Sequence, residues 1–108
     1  MKTTAVTVVY NTPELISDCI HSFRKIYPTV PILIVDNSAE NSVCFNLCEV
    51  LQKEYNGIRL IHTKANIGHG RALHMGINIC YTEHVLVMDS DTRMLEPCIR
   101  DMEYMMDE

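Results

Sequence analysis

Short apolar runs alternate with longer segments of helical period four times along these 108 residues, and this alternation constrains the fold more than any other feature. Thr4–Val9 is rich in β-branched residues and reads as a strand. Thr12-Pro13-Glu14 then supplies a helix start: a Thr cap, proline at the first helical position, and an acid where the helix dipole favours it. Leu15, Ile16, Cys19, Ile20, Phe23 and Ile26 follow at i, i+3, i+4 spacing, which buries one face of that helix, and Pro28 and Pro31 end it. Ile32–Val35 is apolar at every position; a strand wet on one face would alternate, so this one is expected to be covered on both, as in a parallel sheet. Cys44, Leu47, Cys48, Leu51 and Tyr55 mark a second helix, closed by Asn56-Gly57 in the manner of a left-handed C-cap. Ile58–Ile61 is a third strand. Ala72, Leu73, Gly76, Ile77 and Cys80 stripe a third helix, and Val85–Met88 is a fourth apolar strand. Leu95, Cys98, Ile99, Met102 and Met106 stripe a last helix, with Pro97 near its start.

Strand, helix, strand, helix implies right-handed crossovers and therefore an α/β fold: a three-layer α/β/α sandwich on a mainly parallel sheet. The length suits one domain spanning residues 1–108. At 47% hydrophobic and 21% charged the composition is that of a globular chain, which argues against disorder. Nine Lys and Arg against fourteen Asp and Glu give a net charge of −5, against non-specific binding to nucleic acid or an anionic membrane. No apolar run approaches the ~18 residues that would span a bilayer. Ala5–Val9 is too short for the roughly 7–15-residue apolar region of a signal peptide, so a cytoplasmic location is expected. The five cysteines form no C-x-x-C pair and are expected as free, small buried hydrophobes rather than a disulfide framework or zinc site.

Parallel sheets bind ligands at the carboxyl ends of their strands, and each strand exit here carries polar residues. The first exit holds Tyr10 and Asn11, and the second holds Asp36, Asn37 and Ser38. The third leads to Lys64, Asn66 and Gly68, and the fourth to Asp89, Ser90 and Asp91. Two carboxylates one residue apart, on chain turning out of a strand, can present oxygens to one hard divalent cation, Mg²⁺ or Mn²⁺, and leave positions open for phosphate. The same Asp-Ser-Asp equally makes a solvated turn or a helix cap. Asp36 can accept hydrogen bonds from a nucleobase N–H or a ribose hydroxyl, or form an Asx turn through Asp36-Asn37-Ser38. Tyr10 either lays its ring against a base or covers core. In Asn66-Ile67-Gly68-His69-Gly70-Arg71 the glycines admit close approach of a ligand, the helix amides attract anions, and Arg71 can pair with phosphate. This is not the dinucleotide fingerprint, which follows the first strand and needs a third glycine where Leu73 stands. Gly76 inside the helix points to close packing on the sheet. His62, His69, His74 and His84 show no metal-ligand spacing and read as surface or satisfied histidines.

Four segments stand in the order and spacing of the family-2 glycosyltransferases: Thr7–Ser38 holds the first two, Thr7-Val8-Val9-Tyr10-Asn11 and Ile34-Val35-Asp36-Asn37-Ser38. Asn66-x-Gly68-x-Gly70-x-Ala72-x-His74-x-Gly76-Ile77 and Met88-Asp89-Ser90-Asp91 are the others. Over essentially its whole length the chain resembles the amino-terminal, nucleotide-sugar-binding half of those enzymes, of the GT-A fold. The resemblance implies sheet order three-two-one-four and a nucleotide-diphosphate sugar (a UDP-, GDP- or dTDP-sugar) as donor, with Mg²⁺ or Mn²⁺ and inversion at the anomeric centre. It implies that Tyr10, Asn11 and Asp36 lie on the nucleotide side, with Tyr10 and Asp36 holding the base. Asp89 would hold the ribose or a metal-bound water and Asp91 the metal, with Gly68 and Arg71 near the diphosphate. Three positions depart from the family's pattern: Val9 stands where many members have Thr, His74 replaces the usual Asn, and Asn37 a frequent second Asp. The acceptor, a glycan or other hydroxyl compound, and the general base belong to a second half in such enzymes. After Asp91 the acids are Glu96, Asp101, Glu103, Asp107 and Glu108 on a helical stretch, and none is assignable as that base. The chain is therefore expected to be the donor-binding part of a longer enzyme or a shortened relative. A nucleotidyltransferase-like domain and a non-catalytic interaction module are the alternatives. Four strands leave an open sheet edge, which makes a homodimer a candidate assembly.

Overall fold

The computed structural model describes residues 2–94 and 96–107. The elements alternate as β1 (Thr3–Val9), α1 (Pro13–Ile26), β2 (Ile32–Asp36), α2 (Val43–Glu54), β3 (Ile58–His62), α3 (His69–Asn78), β4 (His84–Asp89) and α4 (Ile99–Asp107). All three strand pairings are parallel, and the sheet order is β3-β2-β1-β4, the order that the family resemblance implies. Leu95 and Glu108, counted above in the last helical stretch, lie outside the described residues.

The strand alternation sorts side chains onto two faces. Ala5, Val9, Ile32, Ile34 and Met88 join Ile16, Ile20, Phe23, Cys48 and Leu51 in a core under α1 and α2. Val6, Val8, Leu33 and Val35 face the other way, against Ala72 of α3. The crossover through α1 runs from β1 to β2, and the crossover through α3 returns past β1 to β4. Right-handedness then puts α3 on the opposite face. β1 and β2 are buried along their whole length. β4, equally apolar in sequence, is covered less: α3 packs on β1 and β2, and Val87 on the edge strand is 45% exposed.

Gly76 sets how closely α3 sits on the sheet. A Cβ there would stand 3.0 Å from Val35 Cγ2 and 3.1 Å from Val6 Cγ1, both in the core. Gly76→Ala gains about 1 kcal/mol of helix propensity, but overpacking costs about 1–3 kcal/mol. The expected result is a net loss of about 1 kcal/mol in urea unfolding, and unchanged or raised stability would show that α3 can lift off the sheet freely.

The later helix stripes are corrected: α3 ends at Asn78, before Cys80, α4 starts at Ile99, after Cys98, and Ile77, Met102 and Met106 are exposed where the spacing predicts burial. Thr12 occupies the N-cap of α1 with Pro13 next, but its side chain makes no capping hydrogen bond. α2 ends at Glu54 with an extended Tyr55 as C-cap, so Gly57, at φ +77°, serves the following turn and not the cap itself. Ser42 caps α2 by accepting from the Phe45 amide at 3.2 Å. Arg24 is buried within the α1 stripe. Its Nη1 donates to the carbonyls of Tyr27 (2.9 Å) and Val30 (2.6 Å), and its Nη2 to that of Asn56 (2.9 Å). All five cysteines are free thiols, and burial pushes the Cys19 thiol up to about 11.

Candidate functional site

The crossovers leave β1 in opposite directions, so the carboxyl ends of β1 and β4 part at a topological switch point, where open α/β sheets bind ligands. A cleft of about 480 Å³ opens there. Val8, Tyr10 and Thr12 come from the exit of β1, Leu15 from α1, and Asn37 from the exit of β2. Asn66, Gly68 and His69 come from the start of α3, and Asp89, Ser90 and Asp91 from the exit of β4.

One wall is acidic. Asp89 ends β4 opposite Val8 of β1, and the turn closes with the Thr92 amide donating to the Asp89 carbonyl at 2.9 Å. Both carboxyl residues are exposed, and neither forms an ion pair among the described residues. Two unpaired acids with open space beside them fit a hard divalent cation that keeps part of its coordination for other ligands. Facing them is the amino end of α3, whose first amides have no intrahelical acceptor. Gly68 precedes it at φ +93°, a conformation that glycine adopts without penalty, and its amide donates to Asn66 Oδ1 at 2.9 Å. The remaining wall is apolar: Val8, Leu15 and the half-exposed ring of Tyr10. Thr12 adds a buried hydroxyl with no partner.

Beneath this cleft lies a polar layer. Asn11 adopts φ 51° and its amide donates to Ser38 Oγ at 2.9 Å, tying the exits of β1 and β2 together. Asn37 receives a hydrogen bond from Thr63 Oγ1 at 2.8 Å and donates from Nδ2 to the Gly68 carbonyl at 3.3 Å, joining β2 to the start of α3. Asp36 is fully buried. Its Oδ1 accepts from the Ser38 amide at 3.0 Å, the Asx turn foreseen as the alternative reading. Its Oδ2 lies 2.9 Å from Nδ1 of His62, the residue opposite it in the ladder, and that imidazole stacks on Phe45 at 3.6 Å.

The structure thus brings Tyr10, Gly68, Asp89 and Asp91 together around one opening. Asn11 and Asp36 shape the layer below, and Arg71 faces a separate shallow depression with His74 and Met75. The reason for Arg71 is helical geometry: two residues beyond His69, it is turned well away from the cleft. Leu15 and His69 are cleft residues that the sequence does not single out. Leu15 corrects the buried stripe: it is 44% exposed at the edge of the apolar face of α1, a position that spacing alone does not separate from its neighbour Ile16. His69 could be found only by placing it at the first turn of the helix that follows β3.

The profile of glycosyl transferase family 2 matches residues 4–108. "Glycosyltransferase GlyG" of Streptococcus pneumoniae serotype 4 is 28% identical over 99 residues, which are 90% of this chain and 32% of that protein. The structure of S. aureus TarS 1-349 in complex with UDP superposes with a TM-score of 0.81 at 18% identity, covering 99% of this chain and 32% of that one. Mannosyltransferase PcManGT from Pyrobaculum calidifontis, in complex with GDP-Man and Mn²⁺, superposes at 0.74 with 19% identity, covering 83% and 27%. The two structural likenesses are of fold. The chain spans about a third of the length of GlyG and TarS 1-349. None of the described helices is long and apolar enough to cross a membrane.

Proposed function

The chain belongs to glycosyl transferase family 2, and from that premise we propose that residues 1–108 form the donor side of a glycosyltransferase, which binds a nucleotide-diphosphate sugar together with Mg²⁺ or Mn²⁺. The observation that carries this reading is the pairing, in one cleft, of two free carboxylates with an apolar wall and a helix amino end. Those are the three chemistries that a metal, a nucleoside and a diphosphate require. Tyr10, with Val8 and Leu15, offers the nucleoside a flat apolar surface. Asp91 holds the cation, and Asp89 the ribose or a water on the cation. The first amides of α3, admitted by Gly68, face the diphosphate. A bound cation would neutralise charge on the departing diphosphate as a Lewis acid. Asp36 supports the base side from below; to contact a base it must share an oxygen now held by Ser38 or His62. Transfer with inversion to a glycan or other hydroxyl acceptor completes the reading, with the acceptor's general base unassigned. Arg71 takes no part in this arrangement.

Titration calorimetry with UDP, GDP and dTDP, each with Mn²⁺ and with excess chelator, tests the reading. Both UDP and GDP-Man are bound by proteins of similar fold, so both bases belong in the panel. One diphosphate nucleotide should bind at least tenfold more tightly with Mn²⁺. No binding by any of the three, with or without metal, would overturn the proposal.

A further inference from the structure

We propose that Asp36, Cys44 and Cys48 form a second cation site, for a thiophilic divalent ion of the zinc type, separate from the acidic wall of the cleft; it shares Asp36 with the base side of the proposed nucleotide site, but its test does not depend on nucleotide binding. The three residues come from two elements: Asp36 ends β2, and the cysteines occupy the first two turns of α2. One carboxylate oxygen and the two Sγ atoms lie within 4.8 Å of one another, and all three residues are buried. Cys44 Sγ is 4.0 Å from Asp36 Oδ1. Zn–S bonds of roughly 2.3 Å and Zn–O bonds of roughly 2.0–2.2 Å place donor atoms of a tetrahedral site roughly 3.3–3.8 Å apart. Small side-chain rotations therefore close the site.

Three arguments favour a cation over simple packing. Asp36 is 0% exposed; its Oδ2 is met by the His62 imidazole, while its Oδ1, on the side of the two thiols, accepts only the Ser38 amide and no cationic side chain, which leaves that oxygen able to take a cation. Two sulfurs one helical turn apart, plus one carboxylate, form a mixed soft and hard donor set that selects zinc-type ions over Mg²⁺. His62, on the second oxygen of Asp36, holds the carboxylate from behind, as outer partners orient metal-binding groups elsewhere. Each thiol that ligates gives up its proton, so uptake of the ion releases protons to buffer.

Cobalt(II) added to the reduced, chelator-stripped full chain is the probe. One equivalent should produce thiolate-to-cobalt charge-transfer absorption together with the visible bands of a tetrahedral ion. Cys44→Ser and Cys48→Ser should each abolish the charge-transfer band, and Cys98→Ser, outside the cluster, should keep it. Absence of that band at equimolar cobalt, or its survival in both serine variants, overturns the proposal. If the serine variants fail to fold, the wild-type chain still decides: zinc must slow alkylation of Cys44 and Cys48 at least tenfold relative to chelator, mapped by mass spectrometry. Equal rates with and without zinc overturn it.

Discussion

Asp91→Asn is expected to lower the affinity for a diphosphate nucleotide by roughly ten- to a hundredfold in Mn²⁺, about 1.4–2.8 kcal/mol, and to change it little in chelator. The substitution keeps the shape of the side chain and removes its charge. Asp91 stands in the exposed turn after β4 and makes no ion pair among the described residues, so the fold has little to lose. What changes is the electrostatic hold on a hard cation, whose ligands are charged oxygens. Asp89→Asn is a less clean test because the proposal gives Asp89 either the ribose or a water on the cation. The deciding quantity is the difference between the two calorimetric titrations. A parallel fall in Mn²⁺ and in chelator would assign Asp91 to the nucleotide itself, and no fall in either would remove it from the site.

The largest loss of stability is expected from Arg24→Met. At 6% exposure the guanidinium is a knot between the end of α1, the approach to β2 and the turn before β3. Methionine fills the volume and leaves the Tyr27, Val30 and Asn56 carbonyls without their donor. An orphaned buried polar group costs about 1–3 kcal/mol; with water reaching some of them, a total near 3 kcal/mol is expected. For a domain of this size that lowers Tm by roughly 12–24 °C. Arg24→Lys should lose somewhat less, since one ammonium cannot span all three acceptors. Lys25→Ala, on the exposed side of the same turn, is the control and should be near neutral. Urea unfolding with an unchanged slope provides the measurement, and a loss below about 1 kcal/mol would mean that the carbonyls rehydrate without cost.

The strand order came from the family resemblance, but strand positions and the polar exits were legible because they rest on period and burial, which apolar spacing reports directly. Gly76 was legible for the same reason, as a missing side chain on a buried stripe. Arg24 was not: a charged residue beside an apolar stripe reads as solvated, and only the three-dimensional arrangement of three distant carbonyls draws it inward. Val87 went the other way, since an apolar run does not reveal that the helix on that face packs chiefly on β1 and β2. At the site, Asp89 and Asp91 stand where the strand pattern puts them. Asp36 was recognised as a strand-end acid, but its union with His62 depends on the register of β2 and β3, and its approach to Cys44 and Cys48 on the packing of α2. Arg71 reads as a phosphate partner because it opens the helix whose amides face the cleft, and helical rotation carries its side chain to another depression.

The parallel pairing of β1 with β4, which sets Thr3 beside His84, is the most sequence-distant strand pairing of the sheet. Joining strands so far apart carries a larger loop-closure cost than joining β1 to β2 or β2 to β3. Nearest neighbours can therefore assemble first, and β4 docks last onto a prebuilt three-stranded platform. Asp89, Ser90 and Asp91 travel with it, so the acidic wall of the cleft is complete only once β4 has docked. During synthesis the same order holds, because β4 leaves the ribosome after the three strands it must join. Affinity for a ligand spanning both walls thus becomes a reporter of the final folding step, and slow docking of one edge strand would register as lost binding well before the helices melt.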